Sequence, residues 1–118
     1  MKKIFLIFAF FISSILAFAA DKPSFPGGEA ALKEYLDKNV NYPAVALDNG
    51  VEGIVVVGII VTSDGAITNP KVLKFIDPEL EKEALRVVNG MPAWIPAEKD
   101  GSPIEAPAEV SVSFLLPD

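Results

Sequence analysis

The stretch Gly53-Ile54-Val55-Val56-Val57-Gly58-Ile59-Ile60-Val61-Thr62, closed by Ser63-Asp64-Gly65, decides the fold. From Ile54 to Thr62 it is β-branched almost throughout. Side chains in a strand alternate between two faces, so this strand is apolar on both. That pattern suits a central strand better than an edge. Asp64-Gly65 between two β-rich runs is a hairpin signal. No second carboxylate stands near Asp64 at calcium-loop spacing, so Asp64 is expected to serve the turn. The return strand runs from about Ala66 to Phe75. Pro70 interrupts it, and proline cannot donate to a ladder. The return strand is therefore an edge, or carries a bulge.

Working outward, each flank supplies a helix. Upstream, Leu32, Tyr35, Leu36 and Val40 fall on one helical face after Pro26-Gly27-Gly28, with the helix starting at Glu29. Glu29 with Lys33, and Glu34 with Lys38, are i,i+4 pairs in the favourable order. The Gly pair lacks both a preceding strand and a following Gly-Lys-Ser/Thr, so it opens a helix and cradles no phosphate. Asn41-Tyr42-Pro43 ends this helix, and Ala44 to Asp48 adds one further turn. Downstream, Asp77-Pro78-Glu79 is a helix start with a cap, a proline at the first position and a carboxylate for the dipole. Leu80, Ala84, Val87 and Met91 give its apolar stripe, and Asn89-Gly90 ends it. Glu79, Glu81 and Glu83 form a solvated face, because residues two apart on a helix diverge.

Met91-Pro92-Ala93-Trp94-Ile95-Pro96 is a stiff crossing that lays the one Trp over the end of the core. Lys99-Asp100-Gly101-Ser102-Pro103 is a turn. Val110, Val112, Phe114 and Leu116 then alternate with Ser111 and Ser113 in a last strand. The expected fold is α+β: a three-stranded sheet with both helices packed on one face. The last strand lies parallel to the second and antiparallel to the first. The right-handed crossover places it beside the first strand, in the order 2-1-3. The C-terminal strand is then an open edge.

Composition narrows the function. The 118 residues suffice for one domain, with 10 basic and 16 acidic side chains and a net charge of −6. There is no Cys and no His. Disulfides, thiolate metal sites, a cysteine nucleophile and the commonest general base are all excluded. No nucleophile–base pair or metal cluster is apparent, so the chain is read as a binding protein without cofactor or small-molecule substrate.

Residues 1–19 are read as a signal peptide. Lys2 and Lys3 precede the apolar run from Ile4, and Ala17-Phe18-Ala19 supplies small residues at a cleavage boundary. Cleavage after Ala19 is expected, with Ala20 the next choice. An uncleaved inner-membrane anchor is the alternative, at the short limit for a span. Either way residues 20–118 form one exported domain. Without the leader, 8 basic and 16 acidic residues leave a net charge of −8. Nucleic acid and anionic membrane surfaces would repel such a domain.

One family shares these landmarks. They run Phe25-Pro26-Gly27-Gly28-Glu29-Ala30-Ala31-Leu32, Tyr42-Pro43 with Ala46, and Gly53 to Val57 with Asp64-Gly65 and Ile67. Asp77-Pro78-Glu79-Leu80 with Glu83-Ala84, Met91 to Pro96, Gly101 to Ile104 and Val112-Ser113-Phe114 complete the series. In order and spacing it resembles the TonB C-terminal domain, in the form common in Bacteroidetes-type bacteria. The resemblance covers essentially all of the chain after the leader. It implies a periplasmic module of TonB-dependent transport. Such a module takes up a short segment of an outer-membrane transporter by strand addition. The implied peptide-binding edge is Glu109, Val110, Ser111, Val112, Ser113, Phe114 and Leu115. Position 111 is Ser where many relatives have Pro, and Pro96-Ala97-Glu98 stands where Pro-Gly is usual. Neither change bears on the fold.

Full transducers of this family carry an anchor with a polar residue, often His, and then a long Pro-rich linker. Here the apolar segment meets the domain within a few residues. An anchored domain could not span the periplasm at roughly 3.3–3.6 Å per residue, so a stand-alone secreted binder is expected in place of a force transmitter. The alternative is a self-pairing structural or assembly protein of the cell envelope. In that reading a homodimer covers the open edge, or covers the apolar outer face of the first strand made by Val55, Val57, Ile59 and Val61 or their alternates.

Overall fold

The structure, a computed structural model, describes residues 21–117. The expected leader and its cleavage site lie outside them. Two helices open the described chain, α1 (Gly28–Asn39) and α2 (Ala44–Asp48), followed by strands β1 (Gly53–Val61) and β2 (Ile67–Val72). Helix α3 (Pro78–Asn89), strands β3 (Ala97–Lys99) and β4 (Ser102–Ile104), and the long β5 (Ala106–Phe114) complete it.

The main sheet has the order β2-β1-β5, with both outer strands antiparallel to β1. This is the expected 2-1-3 arrangement with the twice-apolar strand at the centre. Pro70 sits on an edge strand, and the β1–β2 register slips between Gly58 and Ile60, opposite Asn69-Pro70. Asn69 takes a positive φ of 50° there, which marks the bulge. Proline is thus accommodated by both devices anticipated for it.

Val55, Val57, Ile59 and Val61 of β1 join Val110, Val112 and Phe114 of β5 in a buried layer. Leu80, Ala84 and Val88 of α3 and Leu32 of α1 cover the same side. At about 1.5–3 kcal/mol for each large apolar side chain, this layer dominates the stability of the domain. Helix α3 touches all three strands of the sheet. Its start is the expected one: the Asp77 carboxylate accepts from the N–H groups of Glu79 at 2.9 Å and Leu80 at 3.2 Å, with Pro78 in the first turn.

Helix α1 is fastened to α3. The Tyr35 hydroxyl donates to the Val87 carbonyl at 2.9 Å. Arg86 donates to the Asn39 carbonyl at 2.8 Å, and the Asn41 N–H donates to Glu83 Oε2 at 2.7 Å. Glu83 therefore belongs to this junction and not to a freely solvated face. Its partner Arg86 binds both carboxylate oxygens and holds the carboxyl below its ordinary value, with the Asn41 N–H adding to the effect against partial burial. The Glu34–Lys38 pair forms as expected at 3.1 Å, but Lys33 pairs with Asp37 at 2.8 Å in place of Glu29.

Three boundaries differ from the sequence reading. Strand β2 stops at Val72, because the Ile76 N–H turns to the Glu81 carboxylate at 2.9 Å and the chain heads for α3. The turn at Lys99–Pro103 is the tip of a small β3–β4 hairpin. Asp100 and Gly101 both have positive φ, the signature of a type I′ turn. Strand β5 begins at Ala106, four residues before Val110, because Ala106 and Ala108 pair with Val61 and Ile59.

Candidate functional site

The sheet has two outer strands, β2 and β5, and the longer edge, that of β5, carries a run of unpaired backbone groups. The ladder pattern identifies which residues carry it. The Leu73 N–H donates to the Val56 carbonyl at 2.9 Å, so the polar groups of Val56 point toward β2. Bonding alternates along an antiparallel strand, so Val55, Val57 and Ile59 point toward β5. Their partners there are Val112, Val110 and Ala108. The backbone groups of the residues between them, Pro107, Glu109, Ser111 and Ser113, consequently face away from the sheet. Pro107 has no N–H to offer, which leaves Glu109, Ser111 and Ser113 as three successive donor–acceptor pairs.

Side chains divide the other way. Val110, Val112 and Phe114 are buried beneath the helices, whereas Glu109, Ser111, Ser113 and Leu115 are exposed. The seven residues anticipated for the edge thus fall into two sets. Glu109, Ser111 and Ser113 carry the free backbone, while Val110, Val112 and Phe114 anchor the strand. Leu115 lies just past the end of β5.

Beside this edge runs a groove of about 820 Å³. One wall is β5 from Pro107 to Leu115. The facing wall is α1 with Val40 just past its end, where Leu32, Leu36 and Val40 stand beside the charged Glu29, Lys33 and Asp37. Phe25 and Trp94 close part of the groove, packed edge to face with ring centroids 6.0 Å apart. A two-bond bridge between Ser24 and Ile95, at 2.9 and 2.8 Å, holds this N-terminal segment in place. Lys22 flanks the Pro107–Glu109 end, where it lines hollows on both sides of the strand.

The part played by Leu36 and Val40 was not visible from sequence. Their helical spacing marks an apolar face, which does pack on the core, but does not say that the half-buried end of it also lines a groove. Among the described residues, no cluster of three or more His, Cys, Asp or Glu could hold a metal ion. No described helix is long and apolar enough to cross a membrane.

The model of the family described as Gram-negative bacterial TonB protein C-terminal matches residues 38–116, which include α2, the whole main sheet and α3. The chain belongs to the TonB C-terminal family. Two solved structures share the fold, both NMR solution structures of the Helicobacter pylori TonB C-terminal domain. The form spanning residues 179–285 is 23% identical with a TM-score of 0.57, over 74% of this chain and 78% of that one. The form spanning residues 194–285 is 21% identical with a TM-score of 0.56, over 77% of this chain and 98% of that one. No curated protein matches the chain. Most of α1 precedes the matched span of this TonB C-terminal domain, so Leu32 and Leu36 of the groove wall lie outside the part that the family model covers and Val40 within it.

Proposed function

We propose that this TonB-family domain is an exported, periplasmic peptide-binding module. It docks on short segments of outer-membrane transporters by taking them up as a fourth strand on β5. The observation that carries the reading is the run of free backbone groups at Glu109, Ser111 and Ser113 beside an open groove. Main-chain bonds to such an edge give affinity without demanding one sequence. An edge left bare would be an aggregation hazard, which is a reason for it to have an occupant. Residues 1–19 serve as the export signal, and residues 20–118 are the binding unit. The module binds and does not catalyse.

The test is an amide NMR titration of residues 20–118 with transporter segments. Shifts clustered on Glu109 to Leu115 support the reading. An unchanged edge at millimolar peptide rejects it.

A second reading, a self-pairing envelope protein, has one observation in its favour. The sheet face opposite the helices exposes Ile54 and Leu73, at 49% and 46%. A mass that rises with concentration, abolished by polar substitution of these two residues, would favour it.

A further inference from the structure

The face of the main sheet that the helices leave bare carries its charges in a self-complementary order, and we infer that two copies of the domain pack there face to face, about a two-fold axis running along β1. The inference rests on the self-pairing reading and deepens it by fixing how the copies meet. It leaves the outer edge of β5 open.

Alternate residues of a strand point to opposite faces, so Ile54, Val56, Gly58 and Ile60 of β1 share the bare one. The register places Lys71 of β2 and Glu109 of β5 on either side of Gly58, on that same face. Gly58 brings no side chain, and Leu73 leans over it: a Cβ on Gly58 would meet the Leu73 side chain at 3.1 Å. The face is thus an apolar stripe of Ile54, Val56, Ile60 and Leu73, with a cation on one flank and an anion on the other. Lys71 and Glu109 are both exposed, and neither enters an ion pair among the described residues.

Two symmetric face-to-face arrangements centre on Gly58. An axis across the strands sets Lys71 on Lys71 and Glu109 on Glu109, which costs like-charge repulsion twice. An axis along β1 exchanges the two flanks instead. It sets Lys71 of each copy opposite Glu109 of the other and stacks Ile54, Val56 and Ile60 on themselves at the centre. Leu73 and Ser111 flank Val56 as Lys71 and Glu109 flank Gly58, so Leu73 of each copy also falls over the short Ser111 of the other. Packed sheets lie about 10 Å apart, within the combined reach of a lysine and a glutamate. A hollow of about 960 Å³ over Gly58 and Ile60, with Leu73, Lys71 and Glu109 on its walls, leaves room for the second copy's side chains. Asp21 and Lys22 line it too, and their opposite charges offset each other. Three strands make a face only roughly 15 Å wide, so the contact is small and the pairing weak.

The experiment follows sedimentation of residues 20–118, and the methyl resonances of Ile54, Ile60 and Leu73, from micromolar to millimolar protein. The expected result is a mass that rises toward the dimer as these methyl groups shift. Lys71→Glu and Glu109→Lys should each weaken pairing at least about fivefold, and the two together should restore it to within about twofold. Glu109→Lys is the sharper of the two. It lessens the repulsion between two acidic copies, yet should weaken the dimer. Pairing that Glu109→Lys strengthens, or that Ile54→Ser abolishes while both charge variants leave it unchanged, overturns the two-fold geometry and leaves self-pairing standing. Pairing that Ile54→Ser does not weaken lies elsewhere on the domain and overturns the inference. A mass that stays monomeric at millimolar protein overturns both the inference and the self-pairing reading.

Discussion

The carbonyl of Gly65 accepts a hydrogen bond from the backbone N–H of Trp94 at 2.9 Å, and a Cβ on Gly65 would run into the Trp94 carbonyl oxygen. The tip of the β1–β2 hairpin is thereby tied to the crossing that follows α3. Gly65 also has a φ of 90°. Gly65→Ala meets both a steric and a conformational penalty, and should destabilise the domain by at least about 2 kcal/mol. Gly101 is the control. Its φ is also positive, at 81°, but nothing lies within 4 Å of the site of a Cβ. Gly101→Ala should cost about 1 kcal/mol, from conformation alone. Urea midpoints of the two variants check the contrast.

How far the sequence foretold this arrangement depends on the range of the forces involved. The Asp64-Gly65 turn, the Asp77 cap and the Pro70 bulge are local chemistry, and each was legible in a handful of residues. The order of the sheet followed from one strand apolar on both faces plus the handedness of crossovers. The contact of Gly65 with Trp94 joins residues far apart in sequence, so the glycine could be read only as a turn residue. The groove escaped for the same reason. Leu36 and Val40 look like core positions and do pack against the core, half-buried, and only the tertiary structure, with α1 fastened to α3 through Tyr35, Arg86 and Glu83, shows that they also line the groove beside β5.

Helix α3 covers all three strands, so its cap bears on the whole domain. Asp77 satisfies two of the free N–H groups at the helix start. Asp77→Ala should lower stability by about 1 kcal/mol, and Asp77→Ser or Asp77→Asn should restore most of it. Thermal or denaturant unfolding of the three variants checks both the loss and the rescue.

The junction between α1 and α3 should respond to acid. Arg86, bonded to both oxygens of Glu83, keeps this carboxyl below its ordinary value of 4.5. A carboxylate with a depressed folded value binds fewer protons folded than unfolded near that pH. Its contribution to stability is therefore present above about pH 4.5, the unfolded value, and is lost as pH falls through the lower folded value. Glu83→Gln should flatten this part of the acid-unfolding profile while leaving the neutral-pH fold intact. Glu83 is 11% exposed and Arg86 55%, so salt should weaken the effect only in part. Stability measured from pH 7 to pH 3, at low and high ionic strength, checks the slope.

Ser111 and Val112 are adjacent on β5, yet proline should affect them in opposite ways. The Val112 N–H faces β1 across the Val55 pair, so Val112→Pro removes a ladder bond from inside the sheet. It also truncates the packing of a fully buried side chain, and together these should cost about 3 kcal/mol or more. The Ser111 N–H faces away from the sheet, and proline is tolerated on an edge strand with that orientation. Ser111→Pro should therefore shift stability by less than about 1 kcal/mol. If the edge takes up a peptide strand, the same substitution removes the central of three donors. Peptide affinity should then fall by roughly five- to tenfold, about the net value of one hydrogen bond. Unfolding curves and peptide titrations on the two variants read these effects separately. A Ser111→Pro protein as stable as the parent but with unchanged peptide affinity would place the peptide somewhere other than this edge.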